Sequence, residues 1–222
     1  MKFIILFLAV VFGYIVASIL SSKNVKNISL YLAFSGAFLL SITLFELLPE
    51  VFENLEGNPG IFIMIGILIQ IGLEFFSKGS EHGHVHLSTG KQTFPLVLLI
   101  SLSLHALIEG FPISGDNNLL WGIVIHKIPV AIVLSFFFIN AKYTRKTTIL
   151  FLLIFGAMTP LGTYLMDISP TLFKYKFEVS AIAIGVFLHV STTILFESSK
   201  DHKFNLSKVL VILFAVVLAY FL

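Results

Sequence analysis

Eight apolar stretches, each about long enough to cross a bilayer, take up most of this chain: roughly 3–20, 28–49, 59–76, 94–113, 119–139, 147–167, 178–197 and 205–222. A hydrocarbon core of about 30 Å takes roughly 20 apolar residues per helical crossing. The separators are polar and short, such as 21–27, 53–58, 114–118 and 141–146, and only 77–93 is long. The apolar runs are continuous rather than alternating, which argues against a β-barrel. Of the 222 residues 57% are hydrophobic and 12% charged, whereas a soluble domain runs near 45–50% apolar and about 25% charged. So much apolar surface has no place inside a soluble globule, which excludes soluble enzymes, nucleic-acid binders and disordered regulators. A net charge of +2 is too small to imply an electrostatic partner, and the absence of Cys removes disulfides, thiolate metal sites and Cys nucleophiles. The expected fold class is all-α: a polytopic membrane protein with eight transmembrane helices in one bundle. A single domain covers 1–222, with one His-containing loop at about 77–93.

Orientation follows from where Lys and Arg fall. Lys23, Lys26, Lys78, Lys91, Lys142, Arg145, Lys146, Lys200, Lys203 and Lys208 lie on one side, against Lys2, Lys174 and Lys176 on the other. This puts both termini outside and the 77–93 loop in the cytoplasm. The setting is a cell membrane, the inner one if the source is bacterial. Glu50, Glu53, Glu56 and Asp116 gather on the outer side, where they could attract cations. The first run also has the look of a signal peptide, with Lys2 ahead of an apolar segment ending near Ala17; its removal would leave seven spans.

Against this background a few polar residues stand out, because an ionisable group at membrane depth costs roughly 2.5–3.5 kcal/mol even on lenient scales. In the fourth span His105 and Glu109 are four apart and share a helix face. The fifth span contains His126-Lys127-Ile128-Pro129. The two spans form an antiparallel hairpin, and His105 and His126 lie nearly equally far from Asp116 in its turn. At about 1.5 Å rise per residue, the two imidazoles come to the same depth, with Glu109 one turn nearer the outside. Two neutral imidazoles and a carboxylate suit Zn²⁺ and other first-row metals better than Ca²⁺ or Mg²⁺. Pro112 and Pro129 each remove a backbone donor, opening the carbonyls of Ile108 and Ile125 beside the same residues. Packed kinks and a buried polar network are the structural alternative.

His105-x-x-x-Glu109-Gly110 followed by His126-Lys127, with eight spans and outside termini, resembles the ZIP family of divalent-metal transporters. The resemblance implies metal ligands on the fourth and fifth spans, and rocking or elevator-like movement of the helices that carry them. Phe45-Glu46-Leu47-Leu48-Pro49-Glu50 in the second span is similar to the family's Leu-Leu-Pro segment, which gives Glu46 a ligand or gate role. Where members with two adjacent metals carry further ligands, this chain has Ala106, Lys127 and Val130. The expectation is therefore a mononuclear site in which the Lys127 ammonium substitutes for a second metal and pairs with Glu109; outward snorkelling of Lys127 is the alternative.

In the seventh span Ile194 replaces the acid that the resemblance leads one to expect. His189, Thr193 and Glu197 form a stripe there, which together with Asp201 and His202 reads either as an exit route or as interhelical hydrogen bonding and surface charge. His82, His84 and His86 in the 77–93 loop form an exchangeable metal-binding tract of a kind common in that loop of the family. Gln70 and Glu74 in the third span read as surface or packing residues.

The function implied is import of a divalent transition metal, Zn²⁺ first and Fe²⁺ or Mn²⁺ next, through a site of His105, Glu109, His126 and Glu46. No enzymatic activity and no resident cofactor are expected. The partners are the metal as substrate and the lipid bilayer, not nucleic acid, with a homodimer as an option. Because a ligating His must be deprotonated, uptake should weaken on acidification. Two alternatives remain open. One is an intramembrane zinc-dependent hydrolase, although no HExxH or Gly-x-Ser-x-Gly motif is present. The other is a proton-coupled transporter using the same His and Glu as a relay.

Overall fold

The computed structural model describes residues 1–19, 28–77, 94–113, 117–197 and 206–221. The described residues are helical almost throughout. The helices are α1 (Lys2–Ile19), α2 (Ile28–Ile42), α3 (Leu48–Asn54), α4 (Pro59–Ser77), α5 (Leu96–Gly110), α6 (Asn117–Asn140), α7 (Arg145–Ile168), α8 (Pro170–Lys174), α9 (Lys176–Glu197) and α10 (Leu206–Tyr220). Among the described residues seven segments are long and apolar enough to cross a membrane; the eighth expected run contains the shorter apolar helix α10, of 15 residues. The chain is thus a multi-pass membrane protein. Large apolar side chains such as Ile4, Phe12, Leu68, Phe75 and Phe214 remain exposed on the outside of the bundle, as lipid in place of water allows.

Local chemistry explains the helix breaks. The second span is not one regular helix: between α2 and α3 the turn Thr43–Leu47 is a π-helix, closed by the Leu48 N–H on the Thr43 carbonyl. Pro49, in the first turn of α3, lacks an N–H and would press its ring on the carbonyl four residues back. A widened turn just before it relieves that conflict. Thr43 Oγ1 also donates to the Leu39 carbonyl at 2.7 Å. At Pro112 the chain does the opposite and tightens, with α5 ending in a 3-10 turn, Phe111–Ile113. The Ile108 carbonyl, expected to be left open by Pro112, instead accepts the Phe111 N–H. Pro129 lies inside a continuous α6.

The helices pack in two groups. One comprises α1, α5, α6 and α7, and the other α2, α4, α9 and α10; they meet mainly where α2 runs beside α6 and α4 beside α5. Glycine sets the closest approaches within each group. A side chain at Gly66 of α4 would land on the Ile182 carbonyl of α9, and one at Gly162 of α7 on the Leu107 carbonyl of α5. Such contacts are how membrane helices associate without a hydrophobic driving force. Two ion pairs close one end of the molecule, Lys2 with Asp167 at 2.8 Å and Lys176 with Glu50 at 3.2 Å. The N-terminus, the start of α3 and the α7–α9 connection therefore share a side, as the alternating topology requires.

Candidate metal centre

His105 and Glu109 lie on α5, and His126 and Lys127 on α6. All four are buried, and all four line a single cavity. The two imidazoles expected at one level thus reach one cavity. Leu102, Val130, Phe155, Val190 and Ile194 complete the wall. Val130 and Ile194, at positions where the resemblance leads one to expect further ligands, face the cavity as plain hydrocarbon.

Glu109 and Lys127 are each only 1% exposed. The Lys127 ammonium sits 2.5 Å from Glu109 Oε2 and 4.9 Å from the centre of the Phe155 ring, so it points inward and does not snorkel. Thr159 Oγ1 of α7 lies 2.9 Å from the Ala106 carbonyl and 3.1 Å from Glu109 Oε2. Glu109 Oε1 is equally buried but has no hydrogen-bond partner among the described residues. An unpaired carboxylate oxygen in a low-dielectric interior carries a large desolvation penalty, and a cation delivered to the cavity would relieve it.

Each imidazole is held from outside its own helix pair. His105 Nδ1 lies 3.2 Å from Gln70 Oε1 on α4. His126 Nδ1 lies 2.7 Å from Ser35 Oγ on α2, and the same Oγ donates to the His126 carbonyl at 3.2 Å. Gln70 and Ser35 are both fully buried. Gln70, expected at a surface or in packing, is buried and contacts His105 across α4 and α5. Its polarity inside an apolar run marked it out, while nothing in the sequence separates Ser35 from the other serines.

The remaining candidates sit apart. Glu46 is half-buried on the π-helical turn and is not among the cavity's lining residues. His189 Nε2 meets Glu74 Oε2 of α4 at 2.6 Å, an interhelical pair in which both side chains are about one-fifth exposed. His82, His84, His86, Asp116, Asp201, His202 and the side chain of Glu197 lie outside the described residues. Among the described residues no three His, Asp or Glu side chains stand close enough together to hold a metal as they are placed.

The family model described as ZIP Zinc transporter matches residues 77–222. That range contains all of α5 to α10, and hence His105, Glu109, His126 and Lys127, but not Ser35, Glu46 or Gln70. No curated protein matches the chain. The match covers well over half of the 222 residues, and with the helical membrane fold it establishes that this chain belongs to the ZIP zinc transporter family, whose members are non-enzymatic carriers of divalent metal.

Proposed function

We propose that the transported ion binds in the cavity to His105, Glu109 and His126, one ion at a time, and passes from the outer side to the cytoplasm. The observation that carries this is Glu109 Oε1, a buried carboxylate oxygen without a partner among the described residues, on a cavity that two imidazoles also line. Two nitrogen donors and one oxygen favour Zn²⁺, with Fe²⁺ and Mn²⁺ next. Lys127 keeps Oε2 and takes the electrostatic place of a second metal, which limits the site to a single ion. A fixed positive charge beside the ion also weakens its binding, which suits a site that must release what it takes up. Glu46, at the widened turn of the second span, serves as a gate or an additional ligand on the approach. The His82, His84 and His86 tract collects metal on the cytoplasmic side, where the basic loops place it with both termini outside.

Reconstituted liposomes containing a metal-sensitive dye test this reading. Zn²⁺ should enter liposomes bearing the native chain and fail to enter those bearing His105→Ala, Glu109→Ala or His126→Ala at equal protein content. Undiminished flux through any of these intact variants would remove that residue from the site.

A further inference from the structure

The two imidazoles differ in their surroundings but share one arrangement. Each lies on α5 or α6, in the group of helices that carries Glu109 and Lys127, and each has its Nδ1 engaged by a residue of the other group. A neutral imidazole has one N–H and one lone pair, and the partner of one nitrogen decides which atom keeps the lone pair. Gln70 presents its carbonyl oxygen, which can only accept, so the Nδ1 of His105 carries the proton. Ser35 has a single hydroxyl hydrogen and two neighbours to satisfy, the Nδ1 and the carbonyl oxygen of His126. With that hydrogen on the His126 carbonyl, Oγ accepts the Nδ1 N–H, and both contacts are favourable. With the hydrogen on Nδ1 instead, Oγ and the carbonyl oxygen would face each other lone pair to lone pair at 3.2 Å.

From this pattern we infer that Gln70 and Ser35 are positioning residues for the transported metal, holding His105 and His126 in the Nδ1–H tautomer so that each offers Nε2 as a ligand. The inference rests on the proposed site, and it adds two residues from helices that carry no proposed ligand of the cavity. Neither residue touches the ion. Their effect is to remove the wrong tautomer and the wrong ring orientation before the ion arrives, the role that outer-shell partners of ligating His commonly play. Since α4 and α2 belong to the opposite helix group, this hold exists where α4 meets α5 and α2 meets α6. Metal affinity is thereby tied to the way the two groups sit together.

The test is Zn²⁺ uptake by the full chain in proteoliposomes, with KM and maximal rate measured separately. Gln70→Leu and Ser35→Ala should raise KM by about 10–100-fold. Gln70→Glu keeps an acceptor and Ser35→Thr keeps a hydroxyl, so both should recover most of the affinity, which a loss of packing would not allow. Unchanged KM in the Leu and Ala variants, or equal loss in the Glu and Thr variants, would overturn the inference. If Gln70→Leu does not fold, ¹⁵N-histidine spectra of the metal-free native chain decide instead. Nδ1–H signatures for His105 and His126 support the assignment, and Nε2–H signatures refute it. Flux that survives His105→Ala and His126→Ala would instead sink the site itself. Normal ligand dependence with no effect at Gln70 or Ser35 would sink only the positioning role.

Discussion

A lysine ammonium 2.5 Å from Glu109 Oε2, with both side chains almost wholly enclosed, can be incidental packing or a built-in counter-charge, and the two differ in what its removal does. Lys127→Met keeps much of the volume but leaves a buried carboxylate uncompensated, which costs about 3–5 kcal/mol when one partner of a buried pair is lost. Thermal melting in detergent should show that loss without metal, with a substantial part recovered on adding Zn²⁺. A variant as stable as the native chain, or one that metal does not help, would make Lys127 incidental. Thr159→Val tests the neighbouring contact: it removes a donor from Glu109 Oε2 and from the Ala106 carbonyl, at a cost of about 0.5–1.5 kcal/mol. The same melting experiment measures it. His105, Glu109, His126 and Lys127 were legible in the sequence because each is expensive in hydrocarbon. Ser35 was not, since a serine costs little in a membrane helix and its partner lies 91 residues away. Gln70 was visible as a polar residue, but its partner His105, 35 residues on, became evident only once α4 and α5 were packed.

At the scale of helices, glycine contrasts within α4 give the sharpest expectation. A methyl group at Gly66 would strike the Ile182 backbone of α9, whereas one at Gly72 meets nothing within 4 Å. Gly66→Ala should therefore force α4 from α9 and cost about 1–3 kcal/mol, while Gly72→Ala is neutral in the same melting assay. Helix positions could be read from the apolar runs, but helix interruptions could be read only in part. Pro112 and Pro129 both signalled a break, yet the chain tightens at Pro112 and runs on as one helix through Pro129, while the widened turn falls before Pro49. The difference depends on neighbours distant in sequence: Thr163 of α7 donates to the Gly110 carbonyl at 2.8 Å and so supports the compact end of α5.

For the whole molecule, the seven long spans and the shorter apolar helix α10 among the described residues followed from apolar length, but the division into two helix groups did not. Periodicity shows that a helix has an apolar face without showing which neighbour covers it, and most of these spans are apolar all round. The division predicts where motion is needed. The chain has no Cys, so introduced pairs report cleanly. Ile42→Cys with Gly122→Cys would join the groups across α2 and α6, where Ile42 Cγ2 lies 3.1 Å from a Cβ built at Gly122. Val10→Cys with Gly156→Cys would join α1 to α7 within one group, at 3.2 Å between Val10 Cβ and a Cβ built at Gly156. Oxidation of the first pair should stop Zn²⁺ flux reversibly, and oxidation of the second should leave it running. Equal behaviour of the two pairs would argue against movement between the groups.

The most direct measurement is zinc X-ray absorption on the metal-loaded chain, with His82, His84 and His86 replaced by Ala so that the loop contributes no imidazole. The expected spectrum has two imidazole nitrogens at about 2.0–2.1 Å together with oxygen ligands. His105→Ala and His126→Ala should each lose one imidazole, and Glu109→Gln should lower the amount of zinc bound. A spectrum that keeps both imidazoles in either His variant would place the ion elsewhere and contradict the proposed site.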